Sequence, residues 1–129
     1  MMDLAVLNEC EELSFSGKAT FPAVVGRLAA NNVERYCADL VKLEKFYYSA
    51  DGQSEVVPMP FQYAPAIGME WQLNKIRAAI RDIQVGDIQY PEFLKRIMSA
   101  GCVFYDVFIA GKKAIYVSRN GDFHVENFK

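Results

Sequence analysis

The chain has 129 residues, of which 52% are hydrophobic, 13% aromatic and 23% charged, the profile of one compact domain and not of a disordered tail. Its formal net charge of -2 offers no basic field to a phosphate backbone, and no apolar run approaches the roughly 20 residues of a membrane span, so neither nucleic acid nor membrane is expected as a partner. The start, Met1-Met2-Asp3, shows neither the basic nor the long apolar region of a secretory signal, and a cytoplasmic protein is expected. Cys10, Cys37 and Cys102 are odd in number and widely spaced, which argues against a disulfide framework or a zinc site.

In chain order, a helix is expected near Asp3 to Leu13. A second follows at Phe21-Pro22, with the apolar stripe Phe21, Val24, Val25, Leu28, Ala29, and stops at Asn32. Three short strands follow, Glu34 to Leu40, Lys45 to Ser49 and Ser54 to Val57, with Asp51-Gly52 as a turn. The segment Pro58 to Gly68 holds prolines that forbid regular structure. Its Phe61, Tyr63 and Ile67 argue that it lies against the core. The second half then runs through a helix near Glu70 to Gln84 with stripe Leu73, Ile76, Ile80, Ile83, a helix opened by Tyr90-Pro91, and strands Val103 to Ile109, Ala114 to Ser118 and Phe123 to Glu126.

The two halves correspond. A shift of 69 positions, without a gap, sets Gly17 on Gly86, Pro22 on Pro91, Arg27 on Arg96, Tyr36 on Tyr105, Tyr47 on Tyr116, Ser49 on Ser118 and Gly52 on Gly121. The second stripe becomes Tyr90, Phe93, Leu94, Ile97, Met98, and the stop at Asn32 falls on Gly101. Stripes, stops and turns in one register point to a tandem duplication. The expected fold is α+β: one domain, 1–129, of two α-α-β-β-β copies (1–57 and 70–126) joined by a packed Pro-rich linker (58–69). Antiparallel meanders, helices on one side of the sheet and a pseudo-twofold axis complete that expectation. Copies of this size bury too little surface to be stable alone, so the halves should share one core.

The last hairpin is the most informative. A two-residue turn at Asn120-Gly121 would set Ile115 beside Glu126, whereas a three-residue loop, Arg119-Asn120-Gly121, sets Ile115 opposite Val125 and Val117 opposite Phe123. The hydrophobic pattern selects the second, and Tyr116 then lies opposite His124. With Ile115 and Val117 taken as the core side, and a three-residue turn at Ala110-Gly111-Lys112, Tyr105, Val107 and Ile109 fall on the core side and the outer face gathers Asp106, Phe108, Tyr116, His124 and Glu126. Its counterpart in the first copy includes Tyr47 and Val57.

His124 is the sole histidine, and a carboxylate from Glu126 or Asp106 beside it could fix its tautomer, with Tyr116 positioning a substrate. That constellation is the basis of an alternative reading as a small acid/base enzyme. The first copy carries Glu55 and Val57 at the places of His124 and Glu126, so such a pair would be confined to one half. No phosphate loop, HExxH, GxSxG or SxxK motif is present, and neither a cofactor nor a metal is expected. Arg27 and Arg96 are expected to pair with acids across the repeat interface. The favoured reading is a non-catalytic binding or protein-interaction domain using Tyr47, Phe108, Tyr116 and His124 on an aromatic sheet face, or the groove between repeats, for a homodimer, a protein partner or a small ligand.

Val33-Glu34-Arg35-Tyr36, Tyr90-Pro91-Glu92-Phe93-Leu94-Lys95-Arg96-Ile97, Gly111-Lys112-Lys113-Ala114-Ile115-Tyr116 and Gly121-Asp122-Phe123-His124-Val125-Glu126-Asn127-Phe128 together resemble the YbcV-like family, over nearly the whole chain. This is a bacterial and prophage-associated group of unknown function, some of whose members are labelled phage envelope proteins. The resemblance implies a small bacterial protein and no particular activity.

Overall fold

The computed structural model describes residues 1–129. Helix α1 (Leu4–Ser16) starts where the Asp3 side chain accepts the Ala5 N–H at 2.9 Å, and it ends at Gly17 in the left-handed conformation. Helix α2 (Phe21–Ala30) is capped by Thr20 and carries Pro22 in its first turn, where a missing N–H costs nothing. Strands β1 (Val33–Asp39), β2 (Glu44–Ser49) and β3 (Ser54–Pro58) follow. The second half repeats the order with α3 (Leu73–Gln84), α4 (Tyr90–Ser99), β4 (Cys102–Phe108), β5 (Lys113–Ser118) and β6 (Phe123–Asn127). Each element of the second half starts 69 positions after its counterpart, and only the end of α3 departs, by one residue.

The six strands form one antiparallel sheet in the order β3-β2-β1-β4-β5-β6. The central pair joins the two halves, with Tyr36 opposite Val107 and Ala38 opposite Tyr105. Both outer hairpins close alike: the Ser49 hydroxyl accepts the Gln53 N–H and the Ser118 hydroxyl accepts the Asp122 N–H, each at 3.0 Å. That shared bond accounts for the serine identity between the halves. The last hairpin has the three-residue loop, with Ile115 opposite Val125, Tyr116 opposite His124 and Val117 opposite Phe123.

Strands β1 and β4 bury the expected face, but β2, β3, β5 and β6 turn the reverse of the expected face to the core. Tyr36, Ala38, Lys45, Tyr47, Tyr105, Val107, Ala114 and Tyr116 are buried, while Phe123 and Val125 are exposed and Ile115 and Val117 half-buried. The cause is a single residue in the β4–β5 turn. Phe108 pairs with Lys113, so the loop has four residues, Ile109 to Lys112, and not three. That extra residue inverts the side-chain parity and puts Tyr105, not Asp106, beside Tyr116. Lys112 closes the loop with φ 53°, as Leu43 does with φ 56° at the corresponding place in the β1–β2 loop. The buried sheet residues share one cluster with Leu7, Cys10, Val24, Leu28, Ile76, Ile80, Phe93, Leu94, Ile97 and Met98 of the helices.

The linker is pinned, not solvated, but not by all the residues expected. Met59 is buried and Phe61 lies against Phe15 with ring centroids 5.7 Å apart, whereas Tyr63 is 89% exposed. Its far end is held by Gly68 N–H to Met98 O at 2.9 Å and by Arg119, which donates to the carbonyls of Ile67 and Gly68. Arg27 and Arg96 pair within their own halves: Arg27 with Glu9 on α1, and Arg96 with Asp82 on α3 at 2.8 Å and with Glu92 at 3.2 Å. Because each helix hairpin brings its own acid into reach, no acid from the other half is needed.

Two glycines separate constraint from accident. Gly101 has φ 97°, and a β-carbon there would run into the Glu70 carbonyl; Gly26 lies inside α2 with open space around it. Gly101→Ala should lower stability by more than about 1 kcal/mol, and Gly26→Ala should raise it by about 0.5–1 kcal/mol, both measurable by urea unfolding.

Candidate functional site

Three places carry unusual chemistry, and the first lies inside the core. Lys45 on β2 and Glu11 on α1 are 4% and 2% exposed, and the Lys45 ammonium donates to Glu11 Oε1 at 2.6 Å. Glu11 follows Leu7 by four residues on the buried stripe of α1, and Lys45 alternates with Tyr47 and Ser49 on the buried face of β2, so secondary-structure period alone forces both inward. The Lys45 nitrogen sits over the Tyr90 ring at 4.5 Å and the Tyr36 ring at 5.5 Å. The Tyr90 and Tyr105 hydroxyls share a hydrogen bond, and the ring centroids of Tyr105 and Tyr116 are 5.2 Å apart. Glu11 Oε2 has no hydrogen-bond partner.

Burial disfavours the Lys45 ammonium, but the adjoining Glu11 carboxylate and the surrounding tyrosines reverse the balance and hold it well above its usual range. An amine so held is no nucleophile near neutral pH. The corresponding positions in the second half are Ile80 and Ala114, both buried at the same places on α3 and β5. The same architecture therefore accommodates an apolar pair there. Burial likewise raises the phenols of Tyr36, Tyr47, Tyr90, Tyr105 and Tyr116 above their ordinary value. The thiols follow the same rule: burial pushes Cys102 up to about 12, and burial together with the neighbouring Asp106 carboxylate pushes Cys37 up to about 12. None of these thiols is a ready thiolate.

The second place is the edge of the sheet. His124 Nε2 and Glu126 Oε1 are 3.2 Å apart, with the side chains 13% and 32% exposed, and Gln84 of α3 reaches Glu126 Oε2 at 3.4 Å. Of the four residues weighed for acid/base chemistry, His124, Glu126 and Tyr116 share a face, but Tyr116 is buried and stacked beneath His124 at 6.5 Å. Asp106 lies on the opposite face, where its neighbours across the strands are Cys37 and Ile115. Tyr47, also weighed as a binding residue, is 1% exposed in the core. Of the weighed residues, only Phe108 and Asp106 are on the open face.

That open face is the third place, and the face inversion had hidden it. The pairing lays it out in three rows across the strands. One row holds Tyr48, Arg35, Phe108 and Lys113, the middle row Val56, Phe46, Cys37, Asp106, Ile115 and Val125, and the third Glu44, Asp39, Phe104, Val117 and Phe123. In the first half, cations cover the rings: Arg35 lies over Tyr48 at 4.1 Å and Lys42 over Phe46 at 5.5 Å. The second half has no such cover, and Phe123 is 64% exposed. The groove between the halves is a shallow surface concavity lined by Leu43, Pro65, Ile67, Met98 and Arg119.

Compared with models of known protein families and with curated proteins, the chain matches none. No helix is long and apolar enough to cross a membrane.

Two measurements probe the buried layer. Lys45→Ala alone strands the Glu11 carboxylate and should cost about 3–5 kcal/mol, whereas Glu11→Ile with Lys45→Ala, which copies the second half, should unfold at or above the Tm of the parent. The raised phenols fix the alkaline limit. Above pH about 10 the unfolded chain releases phenolic protons that the folded chain keeps, so stability falls as pH rises, by up to about 1.4 kcal/mol per pH unit for each phenol. Lys45 acts in the same direction, because its contribution is complete below its ordinary value of 10.5 and is lost above its raised one. A spectrophotometric titration should show these five phenols ionising together with unfolding and not ahead of it.

Proposed function

We propose that the chain is a non-catalytic, cytoplasmic interaction domain that receives a protein partner on the open face of its sheet. It is a tandem duplication of an α-α-β-β-β unit about a pseudo-twofold axis, with the four helices on the other side. The constant 69-residue spacing of the elements supports the duplication, and membership of the YbcV-like group rests on Tyr90-Pro91-Glu92-Phe93 and His124-Val125-Glu126.

One observation carries the functional reading: Phe104, Phe108, Ile115, Val117, Phe123 and Val125 share a face on which no other ring or cation covers them. A sheet face meant only for water is spared such residues, and an apolar patch bounded by charges is the usual signature of a contact surface. Arg35, Lys113, Asp39 and Glu44 supply the charged border. The partner that fits is a protein surface with an apolar centre and charges of both signs at its rim. Of the acid/base alternative the geometry keeps only the His124–Glu126 pair: Asp106 is across the sheet from His124, and Tyr116, enclosed beneath it, is not open to a substrate.

The dye bis-ANS, two apolar ring systems carrying two sulfonates, serves as a probe of the face. Titrated into the native protein and followed by amide NMR, it should shift the resonances of Phe104, Ile115, Val117 and Phe123 together. Val117→Glu, which removes the apolar contact and repels the sulfonates, should abolish those shifts while leaving the circular dichroism unchanged. Shifts clustered instead around Leu43, Ile67 and Met98 would move the site to the groove between the halves and overturn the assignment.

A further inference from the structure

The two edges of the sheet occupy corresponding places, yet they are built differently. In β6, Ser118 N–H donates to Asp122 O and Phe128 N–H to Lys112 O, so the even-numbered residues turn their backbone groups toward β5. Phe123, Val125 and Asn127 therefore turn their N–H and C=O groups away from the sheet, with no strand beyond them. Natural edges are usually blunted by proline, lysine or a bulge. β6 has none of these: its sequence is Phe-His-Val-Glu-Asn, and its pairing with β5 is unbroken. In β3 the corresponding outward positions are Ser54, Val56 and Pro58, and Pro58 has no N–H to give.

We propose that β6 is a self-pairing edge, joining two copies of the chain about a twofold axis through Val125 into one continuous antiparallel sheet. The side chains select both the occupant and the register. With Val125 opposite Val125 of a second copy, His124 of each chain faces Glu126 of the other, and Phe123 faces Asn127. The same register pairs every outward N–H and C=O of Phe123, Val125 and Asn127. A slip of two residues one way sets His124 against His124 and Glu126 against Asp122; a slip the other way sets Glu126 against Glu126. Directly opposed like charges are unfavourable, and a slip of one residue would turn the exposed Phe123 and Val125 to the wrong face.

β3 supplies the contrast within the same molecule. Paired with itself about Val56, it would set Glu55 against the buried Val57 and Pro58 against Ser54, without charge complementarity and without the terminal hydrogen bonds. The edge that is self-complementary is also the one without proline. The pairing is isologous and closes at two copies, because the far edge, β3, is not competent to continue it. The contact is small, so the affinity belongs at the weak end of specific association, with Kd on the order of 10–100 µM.

This proposal stands apart from the open-face reading and is tested separately, by sedimentation velocity and hydrogen exchange over a range of concentrations. The expected result is a monomer–dimer equilibrium, with the Phe123, Val125 and Asn127 amides gaining protection as concentration rises. His124→Glu places the residue that β3 carries at that position opposite Glu126 and should weaken association at least tenfold. The exchange His124→Glu with Glu126→His restores complementary pairs and should recover it. Asn127→Pro copies Pro58 and should also weaken the dimer in a chain that remains folded by circular dichroism. A protein monomeric at every concentration, or a dimer indifferent to His124→Glu and Asn127→Pro, overturns the proposal. Loss of the dimer with the bis-ANS shifts at Val117 intact would leave the open-face reading standing.

Discussion

The pairing of β1 with β4 is the constraint on which the molecule depends. Neither half, at about 60 residues, buries enough surface to be securely stable on its own, and this one antiparallel pair, Arg35 to Asp39 against Phe108 to Phe104, makes a single six-stranded sheet of two three-stranded ones. It sets Tyr36 beside Val107 and Ala38 beside Tyr105, which makes the tyrosines of both halves one layer: Tyr47 and Tyr105 lie on either side of Tyr36, with ring centroids 5.4 and 6.5 Å from it. Phe93 of α4 then closes on Tyr105 and Tyr116. Tyrosines suit such a layer because the ring fills volume while the hydroxyl can satisfy a neighbouring polar group.

The same pairing decides what is left outside. Once the tyrosines are committed to the core, every strand must present its alternate residues to the other face, and in the second half those are mostly phenylalanine, isoleucine and valine, with Asp106 and Lys113 among them. The first half answers with cations laid over its rings and a proline at its edge; the second half does neither. Positions that correspond in place but differ in chemistry mark where a residue serves something other than the fold. Glu55, Val57 and Pro58 against His124, Glu126 and Asn127 are such positions, whereas Glu11 and Lys45 against Ile80 and Ala114 differ inside the core.

Much of this was legible in the sequence. The helices, the succession of strands along the chain, the left-handed stops at Asn32 and Gly101 and the register of the last hairpin all follow from apolar period and turn chemistry, because those signals are local. The faces of β1 and β4 were legible as well, but those of the strands beyond each inner loop were not, since they turn on one residue of loop length. The signal needed, a positive φ at Lys112 and Leu43, is rare for such side chains and leaves no mark in composition. Mistaking that loop by one residue exchanged the core for the surface. The buried ion pair did leave a trace: Glu11 stands on the apolar stripe with Leu7 and Cys10, and the shift of 69 positions sets it on Ile80. A charged residue at a stripe position, paired with an aliphatic one in the other half, asks for a buried partner, and Lys45 set on Ala114 is the other member of the same substitution.

That pair also shows why burial alone is a poor guide to function here. Lys45 and Glu11 are the two charged side chains buried in the core, and each satisfies the other's charge, so they are chemically inert toward solvent. What an enclosed ion pair can do is choose between arrangements. Its geometry is met only when α1 lies over β2 at one register, and any slip would leave an ammonium or a carboxylate alone among tyrosines, which is far more costly than the loss of an apolar contact. Ile80 and Ala114, buried at the corresponding places on α3 and β5, supply no such discrimination. The first half is thus fixed from within by charge, and the second is free to place its charges, His124 and Glu126, at the edge.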